Sequence, residues 1–272
     1  MKKILVPIDF SAFSFHALGV AADIARKASA EIHLLHLVED AEKVNNKEIN
    51  KQFLDVIELK SMAGLKIINA LKIESIDEGI EQYATKNKID LIVMGSHGHR
   101  TFHDEIFGSN TDKVMKNSSL PLLIVKESTT DFSINTLVFS SNFYKEASAS
   151  FKKVKPLLDL YRPEIHLLSV LPENTEEKEE FAKRLMFDFA AEHKLEGYCC
   201  RTVTASNIEE GINKYCNQVN PELLMMETHG KSQLSHLLFG SVSEDLAAKR
   251  KQPVLTLRIP NVELRDDVIF PA

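Results

Sequence analysis

A five-residue string occurs twice in this chain. Glu31-Ile32-His33-Leu34-Leu35 returns letter for letter as Glu164-Ile165-His166-Leu167-Leu168. Other landmarks recur around it in the same order. Leu137-Val138-Phe139 mirrors Leu5 and its neighbours, Glu210-Gly211-Ile212 echoes Glu78-Gly79-Ile80, and Pro253-Val254-Leu255 echoes Pro121-Leu122-Leu123. A repeat of this length is a tandem duplication, so the fold of one half is imposed on the other. The expected organisation is a first domain over 1–127, a polar linker over 128–135, a second domain over 136–260 and a loosely docked tail over 261–272.

Within the first half, short apolar runs alternate with amphipathic segments. Residues 4–7, 32–38, 66–73, 91–94 and 122–125 predict strands. Phe13, Ala17, Val20, Ala21 and Ile24 recur at helical spacing behind Ser11, a suitable N-cap. Helices are also predicted over 45–62, 77–86 and 109–117. The strands are continuous apolar runs without polar alternation, which indicates a parallel sheet covered on both faces. Ligands of such sheets sit beyond the carboxyl ends of the strands, where Asp9, Leu37 and the loop beginning at Gly95 all fall.

That loop carries the most chemistry. Gly95-Ser96-His97-Gly98 follows the fourth strand, and Gly108-Ser109-Asn110 opens a helix. Glycine permits positive φ and close backbone approach to a ligand. A helix N-terminus attracts anions, and the Ser109 hydroxyl suits either a cap or a phosphate oxygen. Ser109-x-x-Asp112 is equally an ordinary capping box. The loop is not a Walker A sequence, because no Gly-Lys-Ser/Thr follows, and its glycine spacing is not that of a dinucleotide fingerprint.

Composition excludes other classes. A formal charge of −6 argues against bulk nucleic-acid binding. No apolar stretch approaches the ~20 residues of a membrane span, and Asp9 interrupts the N-terminal apolar run too early for a signal-peptide core. Cys199, Cys200 and Cys216 are odd in number and lack Cys-x-x-Cys spacing, which points to a reduced cytoplasmic setting without a zinc site. His97, His99 and His103 have no completing Cys or second His cluster. Arg100 and His99 suit either phosphates or solvent, and Lys249-Arg250-Lys251 suits the solvated end of a helix. No nucleophile–base pair or carboxylate dyad stands out, so catalysis is not indicated.

Gly-x2-Gly-x9-Gly-Ser, together with Val6-Pro7-Ile8-Asp9, Leu35-His36-Leu37-Val38, residues 90–98 and residues 119–125, resembles the universal stress protein family across about the first 126 residues. The resemblance implies an adenine-nucleotide alpha-hydrolase-like, Rossmann-like α/β fold: two tandem open five-stranded parallel sheets, each with helices on both faces, paired through their last strands. It implies ATP or another adenine nucleotide as ligand, with Mg²⁺ on the phosphates. Carried over by position, Asp9 contacts the adenosine part and Leu37 packs on or bonds the adenine. Pro7, Ile8 and Met94 line the adenine slot. Gly95, His97, Gly98, Gly108, Ser109 and Asn110 belong to the loop that holds ribose and phosphates; Asn110 stands where the family often has valine. Asp9 also suits a plain strand-end turn.

The second half departs from this pattern. Pro7-Ile8-Asp9 becomes Ser140-Ser141-Asn142, and Gly95 becomes Glu227, while Gly230, Gly240 and Ser241 survive. An ionised Glu227 about 4 Å from a phosphate would repel it by roughly 4 kcal/mol at an effective dielectric of ~20. The leading expectation is an ATP-binding, non-catalytic stress-response module with its site in the first half. Slow ATP hydrolysis and a protein-interaction scaffold with a decayed site are the competitors. The protein partner, and any association of two tandem chains, are left open.

Overall fold

The computed structural model describes residues 1–96, 109–126, 131–173, 175–229 and 252–259. Its core is a single 10-stranded sheet. The first half contributes β1 (Lys3–Pro7), α1 (Ala12–Ala28), β2 (Glu31–Val38), α2 (Asn46–Ile57), β3 (Ile67–Ile73), α3 (Ile76–Asn87), β4 (Leu91–Gly95), α4 (Ser109–Asn117) and β5 (Leu122–Val125). The second half contributes β6 (Thr136–Ser140), α5 (Lys145–Tyr161), β7 (Glu164–Leu171), α6 (Glu176–His193), β8 (Tyr198–Thr204), α7 (Ile208–Val219), β9 (Leu223–His229) and β10 (Val254–Ile259). The order across the sheet is β3-β2-β1-β4-β5-β10-β9-β6-β7-β8. Within each half every pairing is parallel. The predicted helix over 45–62 is shorter than expected: it ends at Ile57, and a separate 3-10 turn, Lys60–Met62, follows.

The halves join where β5 meets β10, and this pairing alone is antiparallel. Leu123 faces Leu255 and Ile124 faces Val254, all of them buried. The antiparallel joint sets the carboxyl ends of the two strand sets at opposite edges of the sheet. Helices α1, α2, α5 and α6 contribute to one apolar cluster, which runs through both halves. Helices α3, α4 and α7 contribute to the cluster on the other face.

Further contacts fasten the joint. Arg258 donates to the Asn117 carbonyl at 2.8 Å and Lys153 to the Ser119 carbonyl at 2.7 Å. The described part of the polar linker, 131–135, packs against the first half. Phe132 and Ile134 are buried, the Phe132 amide donates to Asp23 on α1 at 2.9 Å, and its ring meets Tyr161 edge-on.

The repeated letters have physical reasons. His33 Nδ1 lies 2.9 Å from the Tyr83 hydroxyl, and His166 Nδ1 lies 2.7 Å from that of Tyr215. Each histidine thereby ties a strand to the helix covering it. The repeated glycine receives a neighbour's side chain. A Cβ on Gly79 would lie 2.5 Å from Leu37, and one on Gly211 would lie 2.5 Å from Val170.

Because the sheet is continuous, Leu255→Ala should lower the stability of the whole chain. Removing a fully buried leucine costs about 2–5 kcal/mol, and urea unfolding followed by circular dichroism reads the loss.

Candidate functional site

The strand order reverses between β1 and β4, whose crossovers run to opposite sides. A crevice opens at such a point, beyond the carboxyl ends of the strands. Pro7, Ile8, Asp9, Leu37, Met94, Gly95 and Asn110 line one cleft there. Every described residue of the expected site is among them except Ser109. That residue is the first of α4, and its side chain lies outside the described set. His97, Gly98 and Gly108 also lie outside it, as do His99, Arg100, His103, Gly230, Gly240, Ser241, the basic run at 249–251 and the tail over 261–272.

The cleft is built by the turn after β1. Phe10 adopts φ 61°, a left-handed conformation uncommon for a bulky residue. It turns the chain into α1, which Ser11 caps by accepting from the Ser14 amide. The Asp9 Oδ1 accepts from the Ser11 amide at 3.0 Å. Partial burial works against ionisation of Asp9, but hydrogen bonds from Ser11 and Ser14 outweigh it and draw the pKa below the usual carboxylate value. Asp9 is therefore an exposed anion and an acceptor at the cleft mouth. The cleft is also lined by apolar Ile8, Leu35, Leu37, Ile76 and Met94.

Sequence reasoning missed several contributors. Ser11, Phe13, Ser14, Leu35 and Ile76 also line the cleft. His36 lies behind it: its Nδ1–H donates to the Ile8 carbonyl at 2.7 Å and pins the end of β1. The sequence marks His36 as part of the family landmark Leu35-His36-Leu37-Val38, but only the β1–β2 register shows its contact with Ile8. On the far side, the Thr111 hydroxyl donates to the Gly95 carbonyl at 3.4 Å, tying the start of α4 to the end of β4.

The reason for glycine at position 95 differs from the one expected. Gly95 does not have positive φ. A Cβ there would stand 2.2 Å from the Phe13 carbonyl oxygen and 2.9 Å from the Ser14 amide nitrogen. The residue is glycine because the first turn of α1 packs directly on it.

Glu227 takes the equivalent place in the second half, between paired neighbours that match those of Gly95. It is 2% exposed, and the Ser141 hydroxyl, at the position of Ile8, donates to it at 2.5 Å. Burial raises its pKa to about 7; the Ser141 bond opposes that rise and the nearby Glu146 charge adds to it. The expected repulsion of phosphate assumed a fully ionised group, and this one is substantially protonated near neutrality. Its buried side chain fills a place that Gly95 leaves free of any side chain in the first half.

Comparison with known proteins agrees with this architecture. A sequence model of the universal stress protein family matches residues 1–126 and 151–258. The chain belongs to the universal stress protein family. Universal stress protein Slr1230 of Synechocystis is 24% identical over 95% of this chain and its own whole length, which makes the tandem arrangement a shared one. Universal stress protein MJ0531 of Methanocaldococcus jannaschii is 31% identical over 46% of this chain and 82% of its own. In structure, a universal stress protein from Archaeoglobus fulgidus superposes with a TM-score of 0.72 at 20% identity, covering 94% of this chain and 98% of that one. Among the described residues no helix is long and apolar enough to cross a membrane.

Two outcomes follow from this family member's paired positions. Gly95→Ala should cost about 3 kcal/mol, the upper range for overpacking, in a urea melt. Glu227 should make stability fall as pH rises. Its folded pKa of about 7 lies above the ordinary 4.5, so the folded state holds the extra proton between those values. Its contribution is most favourable below pH ~4.5 and declines until about pH 7, by about 3 kcal/mol at most. Unfolding curves at pH 5 and pH 8 should show this slope, and Glu227→Gln should reduce it.

Proposed function

We propose that the first half binds an adenine nucleotide, ATP foremost, and that the protein is a non-catalytic cytoplasmic stress-response module. One observation carries this reading: residues from both ends of the first half, 7 to 110, gather in one cleft at the switch point between β1 and β4. The chemistry on its walls suits the parts of such a ligand. The apolar side formed by Ile8, Leu37 and Met94 suits a flat heteroaromatic base. The ionised Asp9 accepts from ribose hydroxyls, and the N-terminal end of α4 beside Asn110 favours phosphate oxygens. Mg²⁺ would accompany the phosphates. Asn142 and Glu227 leave the second half without the carboxylate and without the glycine at the end of the fourth strand.

The test is calorimetric titration of Mg-ATP into nucleotide-stripped protein. One site per chain is expected. Asp9→Asn should weaken affinity about tenfold or more, because a hydrogen bond to a charged group contributes ~1.5–3 kcal/mol. Two sites would show that the second half is open despite Glu227. No heat and no thermal shift would overturn the proposal in favour of the scaffold reading. Phosphate release that vanishes with Asp9→Ala would favour the slow-hydrolase reading.

A further inference from the structure

The duplicated Glu-Ile-His-Leu-Leu string places a glutamate and a histidine on the same face of β2 and again on β7. The two copies have diverged in what surrounds them. In the first half Glu31 is fully engaged. His33 Nε2–H donates to it at 2.9 Å, and Lys66 and Lys3 approach it at 2.6 and 3.3 Å. Lys66 and His33 hold the Glu31 carboxyl down at about 2. The residue opposite His33 on the next strand is Ile68, which offers no donor atom.

In the second half all three positions are changed together. By the same registers, Lys3 corresponds to Thr136 and Lys66 to Gly197. The residue opposite His166 is Cys199. Glu164, His166 and Cys199 each point a ligand atom into one place, all within 4.8 Å of one another. The His166 side chain is nine-tenths buried, and its Nε2 makes no hydrogen bond. It lies 3.2 Å from Glu164 Oε1, outside hydrogen-bond geometry. Its Nδ1 is occupied by the Tyr215 hydroxyl at 2.7 Å, which leaves Nε2 as the ring atom aimed at the cluster. Tetrahedral bonds of ~2.0–2.3 Å to oxygen, nitrogen and sulfur separate the donors by about 3.3–3.7 Å, inside the 4.8 Å that bounds this cluster.

We propose that Glu164, His166 and Cys199 form a site for a thiophilic divalent cation, Zn²⁺ being the best match to a carboxylate, an imidazole and a thiolate. The site lies on the β7–β8 surface of the second half, apart from the first-half cleft. Glu164 is exposed and gives the ion access, and water completes the fourth position. Tyr215 holds the imidazole orientation from behind, as outer partners of metal-bound histidines do. Binding exchanges a thiol proton for the metal: the S–H bond of Cys199 breaks, a sulfur–metal bond forms and H⁺ leaves to solvent. Burial pushes the Cys199 thiol up, the Arg201 charge opposes the rise, the Glu164 charge adds to it, and a hydrogen bond with Tyr215 opposes it. Cys200 packs toward the opposite face and is excluded from the site.

The full chain, reduced and chelator-stripped, would be titrated with Co²⁺ and followed by absorbance. Zn²⁺ affinity would then be measured by competition with a chromogenic chelator. The expected result is a thiolate-to-cobalt charge-transfer band saturating at one ion per chain. Cys199→Ser should abolish the band and weaken Zn²⁺ binding at least tenfold, while Cys200→Ser leaves both unchanged. A wild-type measurement stands beside the variants: Zn²⁺ should slow alkylation of Cys199, mapped by peptide mass, and not of Cys200. Absence of the band in wild type, its persistence in Cys199→Ser, or equal alkylation of Cys199 with and without Zn²⁺ would overturn the proposal.

Discussion

Strand β5 consists of Leu122, Leu123, Ile124 and Val125, every one buried, and it would be an edge if either half stood alone. An edge of that kind presents a row of unpaired N–H and C=O groups on a flat apolar strand, which invites pairing with any other chain. β10 carries the same liability and resolves it by lying against β5. The apolar clusters on both faces run through the joint, so the helices of each half rest on a core that the other half completes. The first-half cleft depends on this indirectly. β4 lies between β1 and β5, and its end supplies Met94 and Gly95 to the cleft.

Much of this arrangement is legible in the letters. Periodicity marks the helices, uninterrupted apolar runs mark parallel strands, and the repeat doubles every inference. Asp9, Leu37 and the loop beginning at Gly95 could be assigned to one place because the carboxyl ends of parallel strands must lie together, and Asn110 joined them through the family resemblance. What cannot be read is whatever depends on register or on burial. His36 finds the Ile8 carbonyl only through strand pairing. Tyr83 lies 50 positions from the histidine it holds. Glu227 reads in the sequence as a charge beside the phosphate position, yet it is enclosed, and burial raises its pKa. The glycine at 95 was legible as a glycine but not for its reason, since the first turn of α1 that demands it lies some eighty residues earlier in the chain.

The two halves keep the same scaffold contacts and differ in their open positions. His–Tyr pairs, helix-seating glycines and left-handed Phe10 and Phe143 persist on both sides. The changes concentrate at Gly95/Glu227, Asp9/Asn142 and the lysines around Glu31. Asp9, Asn142 and the lysines meet a cleft or solvent, whereas Gly95 and Glu227 occupy an enclosed position under the first helix of each half. Retained packing with altered site positions is how one fold can host different chemistry.

The joint between β5 and β10 has one more implication. A two-fold dimer of identical chains must present each interface residue to its own copy, so any substitution is made twice and must suit itself. Here Leu122 faces Thr256 and Ile124 faces Val254; the partners are separately encoded. Thr256 uses that freedom to donate its hydroxyl across to the Leu122 carbonyl at 3.4 Å. Covalent fusion has thus released the pair from symmetry, so that one lobe can lose or exchange a trait while the other keeps it, at a fixed ratio of one to one.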